Sequence, residues 1–195
     1  MFEGKRIITG DAECLHDVKT PFSFGASEFL GNAVTCTLTD QGEFKDWVGD
    51  GTIFAMWKYM LNFDILLTFN GVNFDYPLWG GSILGPEHLE ARKFFEKSFK
   101  GRTIDLCLDF HEALGIRASL ASVAVPTLGD AKEMSGGFAP QHWRAGRCFE
   151  VIEYCRGDVR RTFGLLDKIM KGEKLKYDDK KNNRIIEFEC TPKLR

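Results

Sequence analysis

No stretch of this 195-residue chain approaches the roughly 18 consecutive apolar residues that a membrane-spanning helix requires. Its opening, MFEGKRIITGD, has no basic region leading into a secretory apolar core. The expectation is a cytoplasmic protein that does not use the membrane. Zinc chemistry is also missing its usual marks. The six cysteines, Cys14, Cys36, Cys107, Cys148, Cys155 and Cys190, contain no C-x-x-C pair, and no Cys/His cluster has zinc spacing, so reduced thiols are expected. His111-Glu112 lacks the second histidine of a zinc-protease helix. Charge of one sign is scarce too: 26 Lys and Arg against 28 Asp and Glu give a formal net charge of −2. That balance excludes a protein that coats nucleic acid by bulk charge, and leaves room for a local contact. Internal repeats and low-complexity tracts are absent.

What is present is the composition of a globular domain, 44% hydrophobic and 28% charged, long enough for one sizeable core. Lys5 to Thr9 predicts a short first strand that ends at Gly10-Asp11-Ala12-Glu13. In extended chain, residues two apart share a face, so Asp11 and Glu13 point the same way and repel. A loop over His16 to Asn32 is followed by a predicted hairpin, Ala33 to Thr39, the turn Asp40-Gln41-Gly42, and Glu43 to Val48. Helical spacing follows over Thr52 to Leu61. Ile65 to Phe69 is an unbroken apolar run, as in a central strand covered on both faces. Asn70-Gly71-Val72-Asn73-Phe74-Asp75-Tyr76-Pro77 comes next and places polar groups just past that strand, where a helix opens. Asp75 there is also an ordinary first-turn acid, favoured by the helix dipole.

Further helices are predicted over Pro86 to Phe99, Leu106 to Leu114, and Ser119 to Leu128, with Pro126 limiting the last. Gly129 to Arg147 is Gly-rich and has the composition of a substrate flap. Cys148 to Lys171 is a long amphipathic helix with Ile152, Cys155, Val159, Phe163, Leu166 and Met170 as its apolar stripe. In the neighbouring row, Val151, Tyr154, Asp158, Thr162, Leu165 and Ile169, one acid stands among residues that mostly favour burial. Asp158 there needs a cation, a donor network or solvent to compensate it. Tyr154, one turn earlier on the same face, completes Tyr-x-x-x-Asp. The remaining residues carry eight Lys and Arg against five Asp and Glu from Lys171 onward, a net of +3. They predict a charged extension over 172–195, with Arg184 to Glu189 as a possible added edge strand and the rest a solvated tail.

Asp11-Ala12-Glu13-Cys14, the Asn70 to Pro77 turn, and Tyr154-Cys155-Arg156-Gly157-Asp158 occur in an order that resembles the DEDDy subclass of DnaQ-like 3′→5′ exonucleases. The middle motif, and the cysteine after the first, look most like the proofreading domain of family-B DNA polymerases. The resemblance spans residues 5 to about 170 and implies an α/β, RNase H-like fold with a central mixed sheet flanked by helices. It implies an exonuclease domain over 1–171, with no polymerase domain following. Two departures stand out: Gly10 replaces a bulky apolar residue, and the segment after Glu13 is longer than the compact turn expected.

The resemblance further implies two divalent ions, Mg²⁺ or Mn²⁺, which take oxygen ligands and act on both the attacking and the leaving oxygen of a phosphodiester. Asp11 would bridge them, Glu13 and Asp158 would complete the ion that activates water, and Asp75 would hold the second. Tyr154 would orient the water by hydrogen bonding, since a phenol with a pKa near 10 keeps its proton at neutral pH. Asn70 and Asn73 are candidates for positioning the substrate backbone. Phe74 and Phe138, with Tyr76 and Trp143 beside them, are candidates for stacking on bases, with core packing as the other account. Arg156, Arg160 and Arg161 either attract phosphates or line a solvated helix face. The expected ligand is a single-stranded 3′ end, DNA before RNA, with a replication or repair protein as a further partner. An exoribonuclease, a non-catalytic nucleic-acid-binding module and a nuclease subunit that needs a partner remain as alternatives.

Overall fold

The first strand, β1 (Ile7–Cys14), holds the centre of the sheet. The computed structural model describes residues 2–17, 24–130 and 136–195. In it β1 pairs antiparallel with β2 (Asn32–Thr39), and β2 pairs antiparallel with β3 (Phe44–Val48). On its other side β1 runs parallel to β4 (Ile65–Thr68), which runs parallel to β5 (Thr103–Asp105). The order is β3-β2-β1-β4-β5, a mixed sheet. The strand is longer than the apolar run alone predicts. Asp11 and Glu13 lie inside it, opposite Cys36 and Val34, because pairing with β2 continues past the last aliphatic residue.

Alternation along β1 sorts its residues onto two layers. Ile8, Ala12 and Cys14 face α1 (Ile53–Met60), α2 (Asp75–Leu84) and the short α3 (Phe94–Ser98), in a cluster with Leu66, Met56, Trp79 and Phe95. On this layer a Cβ at Gly10 would meet Met60 at 3.0 Å and Trp79 at 3.2 Å, so the volume of the missing side chain is taken by those two residues. On the opposite layer, Ile7, Ile65 and Leu67 pack against α4 (Leu106–Leu114), α5 (Leu120–Leu128) and α7 (Cys148–Met170). Val34, Cys36 and Leu38 of β2 meet Ala139 of α6 (Ala139–Arg144) together with Val151, Cys155 and Val159 of α7. Asp11 and Glu13 belong to this second layer by register.

Three expectations change. The helix predicted over Pro86 to Phe99 reduces to a 3₁₀ turn at Ala91–Lys93 followed by α3, because Glu90 and Lys93 have ψ near zero and interrupt the helical path. Pro126, expected to limit α5, lies inside it and the helix runs two residues further to Leu128; the missing N–H costs one helical bond. Arg184 to Glu189 does not extend the main sheet. β7 (Arg184–Phe188) pairs with β6 (Leu175–Asp179) in a separate two-stranded sheet. Nor is the extension a solvated tail: Leu175 and Phe188 are buried in the core around Phe110. The open edge of β5 is met instead by Arg195, whose backbone exchanges hydrogen bonds of 2.8 and 3.3 Å with Thr103. Among the described residues no helix is long and apolar enough to cross a membrane.

Candidate metal centre

β1 and α7 together build an acidic cluster. Asp11 and Glu13 extend from β1, Asp158 from α7 packed over it, and one carboxylate oxygen of each lies within 4.8 Å of the others. Glu13 and Asp158 are buried, at 7% and 6% exposure. The Cys155 thiol, on the next residue but two of the same helix, donates to the Asp11 carbonyl at 3.3 Å and ties helix to strand directly beneath the cluster. Three carboxylates held this close repel one another strongly in a partly buried setting, and such an arrangement persists only with cations or donors to offset it. Their hard oxygen donors suit Mg²⁺ or Mn²⁺.

Asp75, the fourth acid expected from sequence, stands beside this cluster rather than within it. It is the first residue of α2 and 2% exposed. Burial first, then the charges of Asp11 and Asp105, hold its pKa well above the ordinary carboxylate range, against hydrogen bonds from the Ala12 and Asp75 amides. The influence of Asp11 and the bond from Ala12 put Asp75 next to β1.

The loop that delivers Asp75 is organised by an acid that the sequence reading passed over. Asp105, at the end of β5, accepts from the backbone N–H of Asn70 at 2.8 Å, Val72 at 3.1 Å and Cys107 at 3.1 Å. It caps α4 and ties down the 70–72 turn at once. An Asp immediately before an apolar-periodic segment was the available signal, since that is where a helix N-cap stands. Asn70 occupies the left-handed region at φ 65°, which Asn tolerates better than most residues, and its side chain accepts from Arg117 at 2.9 Å. Asn73 is exposed and its amide reaches Asn70 Oδ1 at 3.4 Å. The two asparagines therefore serve at least to shape the turn. Phe74 is half-buried against the α1–α2 cluster, and its carbonyl accepts from Ser27 at 3.0 Å. Packing accounts for it. Phe138 is different: at 54% exposure it sits in the turn before α6. Trp143 is half-buried against the core cluster that includes Val34 and Cys36 of β2, and Tyr76 is buried with its hydroxyl 2.7 Å from that of Thr103. Of the Gly129 to Arg147 segment, residues 131–135 lie outside the described residues, and 139–144 form α6.

Tyr154 lies with the acids. Its phenol pKa is raised by burial first, then by Asp158, Glu13 and Asp11, and its hydroxyl hydrogen-bonds to Asp158. It is a proton donor at neutral pH, as the sequence suggested. The three arginines of α7 separate. Arg156 pairs with Asp46 and Glu153, and Arg160 lies over the Phe44 ring at 4.7 Å. Arg161 is not on a solvated face: it is 8% exposed, with Nη1 3.0 Å from Asp158 Oδ1 and Nε 3.0 Å from Asp130 Oδ2. The compensation that Asp158 demanded is supplied at least in part by this guanidinium. Spacing of three residues on a helix made the pairing available from the sequence, whereas Arg160, two residues from Asp158, does not share its face.

No family model matches the sequence, and no curated protein matches it. Among solved structures, the chain is similar to the family B DNA polymerase from the hyperthermophilic archaeon Pyrobaculum calidifontis, with a TM-score of 0.58 and 16% sequence identity. The match covers 85% of this chain and 24% of that one, so the chain spans about a quarter of the polymerase's length. At this identity the likeness is one of fold: a five-stranded mixed sheet flanked by helices, compatible with an RNase H-like architecture.

Proposed function

We propose that this chain is a metal-dependent 3′→5′ exonuclease that hydrolyses the terminal phosphodiester of single-stranded nucleic acid, DNA in preference to RNA, and releases 5′-mononucleotides. The observation that carries the proposal is the convergence of Asp11, Glu13 and Asp158 within 4.8 Å, with Tyr154 hydrogen-bonded to Asp158 and Asp75 alongside. The fold likeness to a DNA polymerase supports nucleic acid as the substrate class.

Asp11, Glu13 and Asp158 would hold one divalent ion, and Asp75 with Asp11 a second. Such ions, when bound, lower the pKa of water and stabilise charge on a phosphoryl group. The chain's own residues then do the positioning. Tyr154, retaining its proton, donates to Asp158 and fixes its orientation, and its hydroxyl oxygen can accept from the attacking water; it does not remove a proton. Asp105 and Arg117 hold the 70–74 turn so that Asp75 stays beside β1. Phe138, exposed before α6, offers a face on which a base can stack.

The test is incubation of the protein with matched DNA and RNA oligonucleotides, labelled at the 5′ end in one set and the 3′ end in another, with Mn²⁺ or Mg²⁺. Stepwise shortening of the 5′-labelled strand, faster for DNA and lost in Asp11→Ala, is expected. No shortening, or shortening that survives Asp11→Ala, overturns the reading; faster RNA digestion reverses its substrate preference.

A further inference from the structure

Arg161 is a buried cation attached to a cluster whose chemistry calls for metal cations, and nothing in the exonuclease reading uses it. Three features define its position. Its side chain is 9% exposed and reaches back one turn to Asp158 Oδ1 at 3.0 Å. Its Nε pairs at 3.0 Å with Asp130, just past the end of α5 and half in solvent. Gly157 lies along the path between them: a Cβ there would lie 2.9 Å from Nη1 of Arg161, so the guanidinium would have to shift. The guanidinium is thus threaded past Gly157 and held between one acid of the cluster and one acid outside it.

Two cations cannot neutralise the same carboxylate independently. A charge a few ångströms from the cluster stabilises the acids before an ion arrives, and repels the ion that does arrive, by the same electrostatic interaction. Geometry adds to this, since the hydrogen bond to Arg161 engages one of the two oxygens of Asp158. We propose that Arg161 is a resident counter-cation of the acidic cluster. It keeps Asp11, Glu13 and Asp158 assembled without metal and sets an upper limit on divalent-ion affinity, so that ions exchange rather than remain locked in. This rests on the metal-centre reading above for its second half only. Arg161 acts through Asp158 and is a positioning residue. Asp130 shares the guanidinium and so links the end of α5 to the balance of charge in the cluster.

The experiment has two arms, neither of which uses nucleic acid. In the first, Mn²⁺ is titrated calorimetrically into the wild-type chain and into Arg161→Gln and Arg161→Lys. Arg161→Gln is expected to bind Mn²⁺ on the order of ten-fold more tightly, from loss of one nearby positive charge, and Arg161→Lys to stay within about three-fold of wild type because it keeps the charge. Equal or weaker binding by Arg161→Gln overturns the affinity limit. In the second arm, thermal melts are recorded in chelator. Arg161→Gln should melt lower than wild type, and adding Asp158→Asn should restore at least half of the loss, since the acid left without its counter-charge is then removed. A loss that Asp158→Asn does not recover makes Arg161 a packing residue and overturns the proposal. If the wild-type chain binds no Mn²⁺, the metal centre and the affinity limit both fail, while the metal-free melts still judge the counter-charge alone.

Discussion

Asp75 is 2% exposed and faces the charges of Asp11 and Asp105, so its carboxyl holds a proton more tightly in the folded chain than in the unfolded one. A folded pKa raised above the unfolded value contributes stability that is complete below about pH 4 and is lost as pH rises through the folded pKa. The metal-free protein should therefore lose stability as pH rises above the ordinary carboxylate pKa of about 4, and Asp75→Asn should flatten that part of the profile. Melting temperatures in chelator across this range measure it; parallel profiles for the two proteins refute it. Tyr154 belongs to the same scale. Its raised pKa makes it a donor, so Tyr154→Phe should slow cleavage by on the order of 10²-fold, with Mn²⁺ affinity and the shape of the pH–rate profile unchanged. A shifted basic limb of that profile would instead make the phenol a base. The acids and Tyr154 were legible as a set through the resemblance that the order of their three motifs carries, each alone having an ordinary structural reading. Arg161 was not read: its three-residue spacing from Asp158 makes a local pair available, but only packing buries that pair beside the cluster.

α2 carries Asp75 into the site, and two of its glycines fix how closely it approaches its neighbours. A Cβ at Gly80 would lie 1.8 Å from the Ala91 carbonyl oxygen, and one at Gly81 would lie 2.2 Å from that of Glu28. Both obstacles are backbone, which cannot swing aside as a side-chain tip can. Gly80→Ala or Gly81→Ala should destabilise the fold by about 3 kcal/mol, measured by chemical denaturation, even though alanine favours helix over glycine. A neutral or stabilising result would mean that α2 can shift on the sheet. The helix itself was readable from Asp75 onward, whereas its two close approaches were not, because the partners at Ala91 and Glu28 are remote in sequence or in another element. α3 shows the converse. Ala91, Phe95 and Phe99 recur at four-residue spacing and are all buried, yet the backbone opens at Glu90 and Lys93 and the helix is five residues long.

Across the whole molecule, the two layers on either face of the sheet divide the labour. The α1–α2–α3 layer is an aromatic-rich core, while the α5–α7 layer carries both apolar packing and the acids. The 172–195 segment closes the second layer: Leu175 and Phe188 are core residues, and Arg195 pairs with buried Asp109 at 2.7 Å. A chain cut after Lys171 should lose at least about 3 kcal/mol from those two side chains alone and should melt well below the full chain, or precipitate. A truncated protein with an unchanged melting temperature would make 172–195 a true appendage, as its charge had suggested.

The sequence by itself determined the order of β1 to β4, the interior, twice-paired position of the strand read over Ile65 to Phe69, the shared face of Asp11 and Glu13, and the helical face on which Tyr154 and Asp158 stand. These follow from local periodicity and steric rules that act over a few residues. Only the tertiary structure decided that the three acids meet within 4.8 Å, that Asp75 stands beside them, that Asp105 ties down the turn before it, and that the Arg161–Asp158 pair is buried beside the cluster. Those relations join residues up to 147 positions apart, between Asp11 and Asp158, and are fixed by how α7 packs across β1 and β2, which no local pattern encodes.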